Sequence, residues 1–273
     1  PTRRSSDLAD DLLDRPSVST YNSFADGIVR EHAARIGRDA EAVVLSESAA
    51  WLLMRRTVLA SDDPELETTE ESLRTLVDRA LRIARDAVDN LVDLDDLERF
   101  PERFARVVDI PSENSRTTVY KDVQDDVAAV GKLALYARLA REYDRNKRRT
   151  GVIDFADQVA GAYEIVRGDP RLVDELREQY RVVLLDEYQD TSVVQSLLLS
   201  TLFADSAVMA VGDPHQAIYG WRGASAGNLA GFGEAFSANG ACARFDLLTS
   251  WRNAPAVLNA ATAVLAPLAE RST

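Results

Sequence analysis

The residues best suited to chemistry lie in the last third of the chain. Val182-Val183-Leu184-Leu185 reads as a buried strand, and Asp186-Glu187 leave its C-terminal end ahead of Tyr188-Gln189-Asp190-Thr191. In an open α/β sheet that edge is where ligands bind. A carboxylate there can hold Mg²⁺ through water, because this hard ion takes oxygen ligands. Its neighbour can accept the proton of a water that attacks a phosphoryl group. An Asp-Glu pair after a strand is more commonly a helix N-cap, and by itself the pair favours that reading.

Two further segments change the balance. Val208 to Val211 reads as another buried strand, followed by Gly212-Asp213-Pro214-His215-Gln216 and then Tyr219-Gly220-Trp221-Arg222-Gly223-Ala224. Gln216 is a neutral amide at a strand end, able to sense a terminal phosphate. Tyr219 and Trp221 flank a glycine, an arrangement suited to rings that meet flat bases, although two core rings would also fit. In Leu247-Leu248-Thr249-Ser250-Trp251-Arg252-Asn253, Arg252 follows an apolar run and an aromatic residue. A guanidinium there can stabilise charge on a transferring phosphate, but alone an Arg after a Trp is far more often a surface ion pair.

The elements that must position these residues change character along the chain. Thr20 to Ile36 has helical spacing and stops at Gly37. Thr68-x-x-Glu71 reads as a capping box ahead of an apolar stripe formed by Leu73, Leu76, Val77, Ala80, Leu81, Ala84, Val88 and Leu91. A long helix is expected from about Val119 to Lys147, so 40–150 reads as mostly helical, with no defensible strand. After Gly151 the helical stretches Asp154–Val166, Arg171–Tyr180 and Val193–Leu202 alternate with short apolar runs at 182–185, 207–211 and around 245–248. That alternation predicts a parallel sheet with crossover helices.

Composition narrows the setting. The 273 residues carry a net charge of −13, with 46% hydrophobic and 28% charged residues, as in an ordinary globular chain. No apolar run approaches the ~20 residues of a membrane span, and no secretory signal is visible. Cys242 is the single cysteine, so no internal disulfide forms; it reads as a buried small hydrophobe. A reducing cytoplasm is the expected compartment. Thirteen acids and four arginines between 62 and 98 hold most of the negative charge. Arg138, Arg141, Arg145, Lys147, Arg148 and Arg149 form a basic tract. That tract reads either as a solvated helix end or as a phosphate-contacting patch.

In order and spacing, Asp-Glu-x-Gln-Asp-Thr, Gly-Asp-x-x-Gln-x-Ile-Tyr-Gly-Trp-Arg-Gly-Ala and the aromatic-Arg step resemble motifs II, III and IV of superfamily-one DNA helicases. The resemblance is to the UvrD/Rep/PcrA and RecB kind. Thr20-Tyr21-Asn22-Ser23-Phe24 is similar to the family's Thr-Phe-His-Ser segment, with Asn22 in place of His. Asp154-Phe155-Ala156-Asp157 is similar to its Asp-Phe-x-Asp element, and 215–227 looks closest to helicase–nuclease subunits of the AdnB type.

The resemblance implies an α/β fold, a RecA-like parallel-sheet lobe of the P-loop NTPase type, incomplete, with an inserted mostly α-helical subdomain. It assigns 9–40 to a remnant of the first RecA-like lobe and 41–150 to the inserted subdomain. Residues 151–245 become the lobe bearing motifs II and III, and 246–273 the start of a second lobe with motif IV. Residues 1–8 look like read-through of a sequencing-library adapter and stand outside this scheme.

The implied activity is ATP-dependent 3′→5′ DNA unwinding in repair or recombination, on single-stranded and duplex DNA, with ATP as substrate and Mg²⁺ as cofactor. Asp186 would hold the Mg²⁺ and Glu187 would be the base. Gln189 and Gln216 would link the γ-phosphate to the DNA site. Tyr219 and Trp221 would meet single-stranded DNA, with Arg222 coupling that site to the nucleotide. Arg252 would approach the γ-phosphate and Trp251 would stack on adenine. A partner helicase–nuclease subunit is also implied; a membrane partner is not.

The family's phosphate loop, Gly-x-x-x-x-Gly-Lys-Ser/Thr, is absent from these 273 residues, since Gly131-Lys132 is followed by Leu133 within a helical pattern. The expectation is therefore a truncated motor centre that alone neither hydrolyses ATP nor unwinds DNA and tends to aggregate. Two alternatives stand beside it: a non-catalytic pseudo-helicase subunit, and the helicase part of a helicase–nuclease chain.

Overall fold

A computed structural model describes residues 16–110, 119–218, 220, 227–240, 242–247 and 249–269. The chain divides into two compact units, Pro1–Gly240 and Ala241–Thr273. The first unit opens with α1 (Tyr21–His32), a 3₁₀ turn, β1 (Val43–Val44), α2 (Glu47–Ala60), α3 (Glu65–Thr68), α4 (Leu73–Asp89) and α5 (Leu94–Phe104). After α6 (Lys121–Gly131) and α7 (Leu133–Thr150) come β2 (Val152–Ile153), α8 (Phe155–Gly168) and α9 (Pro170–Gln179). Then follow β3 (Val182–Leu185), α10 (Val193–Phe203), β4 (Ala207–Ala210), α11 (Gly227–Ala230) and α12 (Phe232–Phe236). The second unit holds α13 (Pro255–Ala269).

Local chemistry sets the helix starts. The side chains of Thr20, Ser46, Ser72 and Asp93 accept hydrogen bonds from first-turn N–H groups of α1, α2, α4 and α5, groups that have no partner inside the helix. Gly37, with φ of 62°, takes the left-handed conformation that ends the first helical stretch. Ser192 and Gln195 make a reciprocal capping box for α10.

Two hydrophobic cores result. In one, Ile28 and Val29 of α1 meet Val159, Ile165 and Val166 of α8 and Leu198 and Leu202 of α10, with Tyr188, Phe232 and Phe236 closing it. In the other, Leu53 and Met54 of α2, Leu76, Val77 and Leu81 of α4, and Leu139 and Tyr143 of α7 pack together. Each such side chain, fully buried, contributes about 1.5–3 kcal/mol. The two cores meet where α7 runs into β2 and α8. There Lys147 Nζ lies 2.5 Å from Asp157 Oδ2 and 3.5 Å from Asp154 Oδ2, and all three side chains are buried. The Tyr143 hydroxyl donates to Asp154 Oδ2 at 2.9 Å.

Both sheets are two-stranded and parallel among the described residues. Strand β1 pairs with β2, and β3 pairs with β4, Val182 opposite Ala207 through Leu185 opposite Ala210. The expected parallel pairing of 182–185 with 207–211 is observed. Burial on both faces is not: Leu185 is buried, whereas Val182 and Leu184 are 70% and 68% exposed. Side chains alternate across a strand, and only one face of this pair packs on the core.

Several expectations need correction. The strand β1 lies in the mostly helical stretch for which no strand is expected; two residues show no period, and its partner is far along the chain. The long helix over 119–147 is two helices, meeting at Gly131-Lys132. Thr68 and Glu71 do not cap α4; Ser72 does, its Oγ accepting from Thr75 N at 3.2 Å. Glu71 instead accepts from Lys132 Nζ at 2.5 Å and from the Tyr136 hydroxyl at 2.6 Å. Burial alone would raise the Glu71 carboxyl, but these hydrogen bonds and the charges of Lys132 and Arg79 hold it below its ordinary value. The described residues around 245–247 form no strand, and Cys242 is exposed rather than buried.

The basic tract proves to be largely internal counter-charge. Arg138 bonds Asp63 at 2.6 Å, Arg141 bonds Asp95 at 2.6 Å and Glu98 at 2.9 Å, and Arg148 bonds Asp144 at 2.8 Å. Arg138 and Arg141 thus pair with acids of the 62–98 segment, while Lys147 is buried against Asp154 and Asp157. Among the described residues no helix is long and apolar enough to cross a membrane.

Candidate functional site

The site is built where β3 and β4 end side by side. The ladder runs one step past the strands, Val211 N–H donating to the Leu185 carbonyl at 2.8 Å and Tyr188 N–H to the Val211 carbonyl at 3.0 Å. Between those two bonds Asp186 and Glu187 leave the sheet, both exposed. Glu187 turns the chain with φ of 51°, a left-handed conformation that a non-glycine residue seldom adopts and that costs on the order of 1–3 kcal/mol. Its N–H donates to Asp186 Oδ1 at 3.0 Å. A 3₁₀ turn over Tyr188–Asp190 follows.

Gln189 ties this turn to the next one. It is 1% exposed. Its Nε2 donates to Glu187 Oε2 at 2.7 Å, and its Oε1 accepts the Asp213 N–H at 3.1 Å. Asp213 Oδ2 in turn accepts from Gln216 Nε2 at 2.9 Å. Asp186, Glu187, Gln189 and Gln216 are thus joined in one hydrogen-bonded chain across both strand ends. The N-cap reading of Asp186-Glu187 fails, because the helix that follows is capped by Ser192.

Four residues given no role from the sequence hold this arrangement. The Tyr21 hydroxyl donates to the Asp186 carbonyl at 2.6 Å. Burial first, then the neighbouring Tyr188, Asp186 and Glu187, push the Tyr21 hydroxyl well above the ordinary tyrosine range, so it stays protonated as a donor. Asn228 Nδ2 donates to the Thr191 carbonyl at 2.8 Å, and Asn22 Oδ1 accepts from Gln195 at 3.0 Å. A Cβ at Gly212 would fall 2.3 Å from Gln189 Oε1, so only glycine leaves room for the sealed amide. The signals were present, a Gly-Asp after a strand and a tyrosine after an N-cap threonine, but neither names its partner. Asp190 carries a buried oxygen without a hydrogen-bond partner, and burial, then the Glu187 charge, raises its carboxyl.

Gly212→Ala is therefore expected to displace the Gln189 amide and destabilise the chain by about 1–3 kcal/mol in urea unfolding. Adding Gln189→Ala should restore part of that loss, because the clash is with this side chain. Unchanged stability of Gly212→Ala would refute the close packing.

Tyr219, Trp221 and Arg222 lie outside the described residues. Trp251 and Arg252 belong to the C-terminal unit, on which both are exposed, Trp251 at 93%. Among the described residues no three or more His, Cys, Asp or Glu side chains gather to enclose a metal.

Adjacent carboxylates at the carboxyl edge of a parallel strand pair place the chain with α/β proteins that bind ligands at such edges. A family model described as the UvrD/REP helicase N-terminal domain matches residues 2–237, and the chain belongs to that helicase family. It is 32% identical over 131 residues to DNA helicase II of Escherichia coli K12, covering 48% of this chain and 18% of that protein. To the ATP-dependent DNA helicase PcrA of Leuconostoc citreum it is 25% identical over 226 residues, 82% of this chain and 26% of the relative. To RecBCD enzyme subunit RecB of Mycobacterium tuberculosis it is 35% identical over 163 residues, 58% of this chain and 14% of the relative. In each case the match spans about a quarter or less of the relative's length.

Proposed function

We propose that the chain supplies part of the motor of an ATP-dependent DNA helicase, in which the 186–190 and 212–216 turns meet the nucleotide. The observation that carries this reading is the Gln189 bridge, which couples an exposed Asp-Glu pair to the turn bearing Gln216. Asp186 fits a Mg²⁺ site: its carboxylate is exposed, and an ion held by few carboxylates through water needs no protein cage. The bound ion would neutralise phosphate charge. Glu187, oriented by the Gln189 amide, takes the proton from a water attacking the terminal phosphoryl group. Gln216 senses that phosphate; the roles of Arg252 toward the γ-phosphate and Trp251 toward adenine rest on the family resemblance alone.

The RecA-like character of the sheet, the division into 9–40, 41–150, 151–245 and 246–273, and the 3′→5′ direction belong to this reading. So do action in DNA repair or recombination and a cytoplasmic setting. The similarity to RecB favours a role within a helicase–nuclease assembly. Without a phosphate loop in these 273 residues, the chain alone is expected not to hydrolyse ATP.

DNA-stimulated ATP hydrolysis by the native protein tests the proposal. Trp221→Ala is expected to weaken the stimulation by single-stranded DNA, a stacked base being worth about 1–3 kcal/mol. Stimulation equal to that of the unaltered protein would return Trp221 to a packing role, and no hydrolysis with or without DNA would overturn the motor reading.

A further inference from the structure

An open groove of about 1390 Å³ lies between α2, α4 and α8 and reaches Asn22, Asp190, Ser192 and Gln195 beside the 186–190 turn, without Asp186 or Glu187 in its lining. That exceeds the roughly 300–1,000 Å³ of a small-molecule pocket. Its apolar part includes Trp51, Leu52, Leu81, Phe155 and Val159, and Leu52 and Phe155 are 54% and 51% exposed on adjoining helices. Its rim is acidic. Glu47, Asp78, Asp86, Asp89 and Asp190 line it against only Arg82 and Arg85.

The arginines are already engaged. Arg85 bonds Glu47 at 2.8 Å and lies 3.9 Å from Asp154, and Arg82 lies 3.5 Å from Asp86. Asp78 accepts the Trp51 indole N–H at 2.7 Å, which fixes the ring at the groove wall. Asp89 and Asp190 are left without an ion pair among the described residues. Burial, then the charge of Asp86, pushes the Asp89 carboxyl up to about 6, so a cation arriving there would relieve an existing strain. A phosphate backbone would meet repulsion instead, since nucleic-acid grooves are lined with positive charge.

We infer that this groove docks a cationic amphipathic segment of a protein partner, its apolar face on Trp51, Leu52 and Phe155 and its Lys or Arg side chains on Asp89 and Asp190. The pairing of an apolar strip with an uncompensated acidic rim selects that chemistry, in the manner of a helix laid into a groove. An aromatic ring at the wall supplies the kind of anchor on which such interfaces depend.

The test titrates the 273-residue chain into a fluorescein-labelled synthetic peptide with Leu and Trp on one helical face and Lys and Arg on the other, read by anisotropy. A peptide of the same composition, scrambled to remove the faces, is the control. Saturable binding of the first peptide, at least about tenfold tighter than the second, is expected. Leu52→Asn and Glu47→Lys change exposed side chains, so both variants should keep the wild-type circular dichroism, and each should weaken binding about tenfold. Absence of binding, equal binding of the scrambled peptide, or equal binding by both variants would overturn the inference. Displacement of the peptide by a short oligothymidylate would overturn it as well, making the groove a nucleic-acid site.

Discussion

Glu187→Gln in the native protein is expected to leave ATP binding intact and to lower turnover by at least about 10²-fold, the usual contribution of a positioned base. The substitution is conservative where it needs to be. A glutamine keeps an oxygen to accept the Gln189 Nε2–H that now reaches Glu187 Oε2 at 2.7 Å, so the turn can stay closed. What it removes is basicity. Titration with a fluorescent nucleotide alongside phosphate release separates the two effects. Turnover near that of the unaltered protein would take the base role from Glu187 and leave its left-handed backbone without a catalytic explanation.

The second large effect concerns stability. Lys147→Met is expected to cost about 3–5 kcal/mol, because it leaves Asp154 and Asp157 buried without their cation. The lysine is 3% exposed and the two carboxylates 2% and 7%, so water cannot replace the lost charge. Urea unfolding of the chain, followed by circular dichroism, measures this directly. Adding Asp157→Asn to Lys147→Met should recover part of the loss by removing one of the stranded charges. A loss below about 1 kcal/mol would mean that the pocket admits solvent.

Features whose causes are local could be read from the sequence. Of the stripe Leu73, Leu76, Val77, Ala80, Leu81, Ala84, Val88 and Leu91, the positions from Leu76 to Ala84 form the buried face of α4 while Leu91 lies past its end and is exposed, and the apolar runs at 182–185 and 207–211 are strands of a parallel pair. Adjacent carboxylates at a strand end point to the candidate site, and Gln189 and Gln216 share its chain of hydrogen bonds. What the sequence concealed depends on partners distant along the chain. Thr68-x-x-Glu71 has the spacing of a capping box, yet Lys132 and Tyr136 claim its glutamate. The tract from Arg138 to Arg149 reads as a solvated helix end or a phosphate patch, whereas its Arg138 and Arg141 pair with Asp63, Asp95 and Glu98. The role of Gly212 emerges only once Gln189 is folded beneath it. Periodicity registers which face is apolar, and it carries no information about which charge finds which.

The mutual pairing of the 62–98 segment with α7 bears on how this layer can be exchanged among relatives. Arg138 and Arg141 are matched to particular carboxylates on α5 and on the stretch before α3, so neither half is a neutral module by itself. A chimera that imports one half should inherit mismatched partners and fold poorly, whereas one that imports both keeps these pairs and still needs Asp154 and Asp157 to receive Lys147.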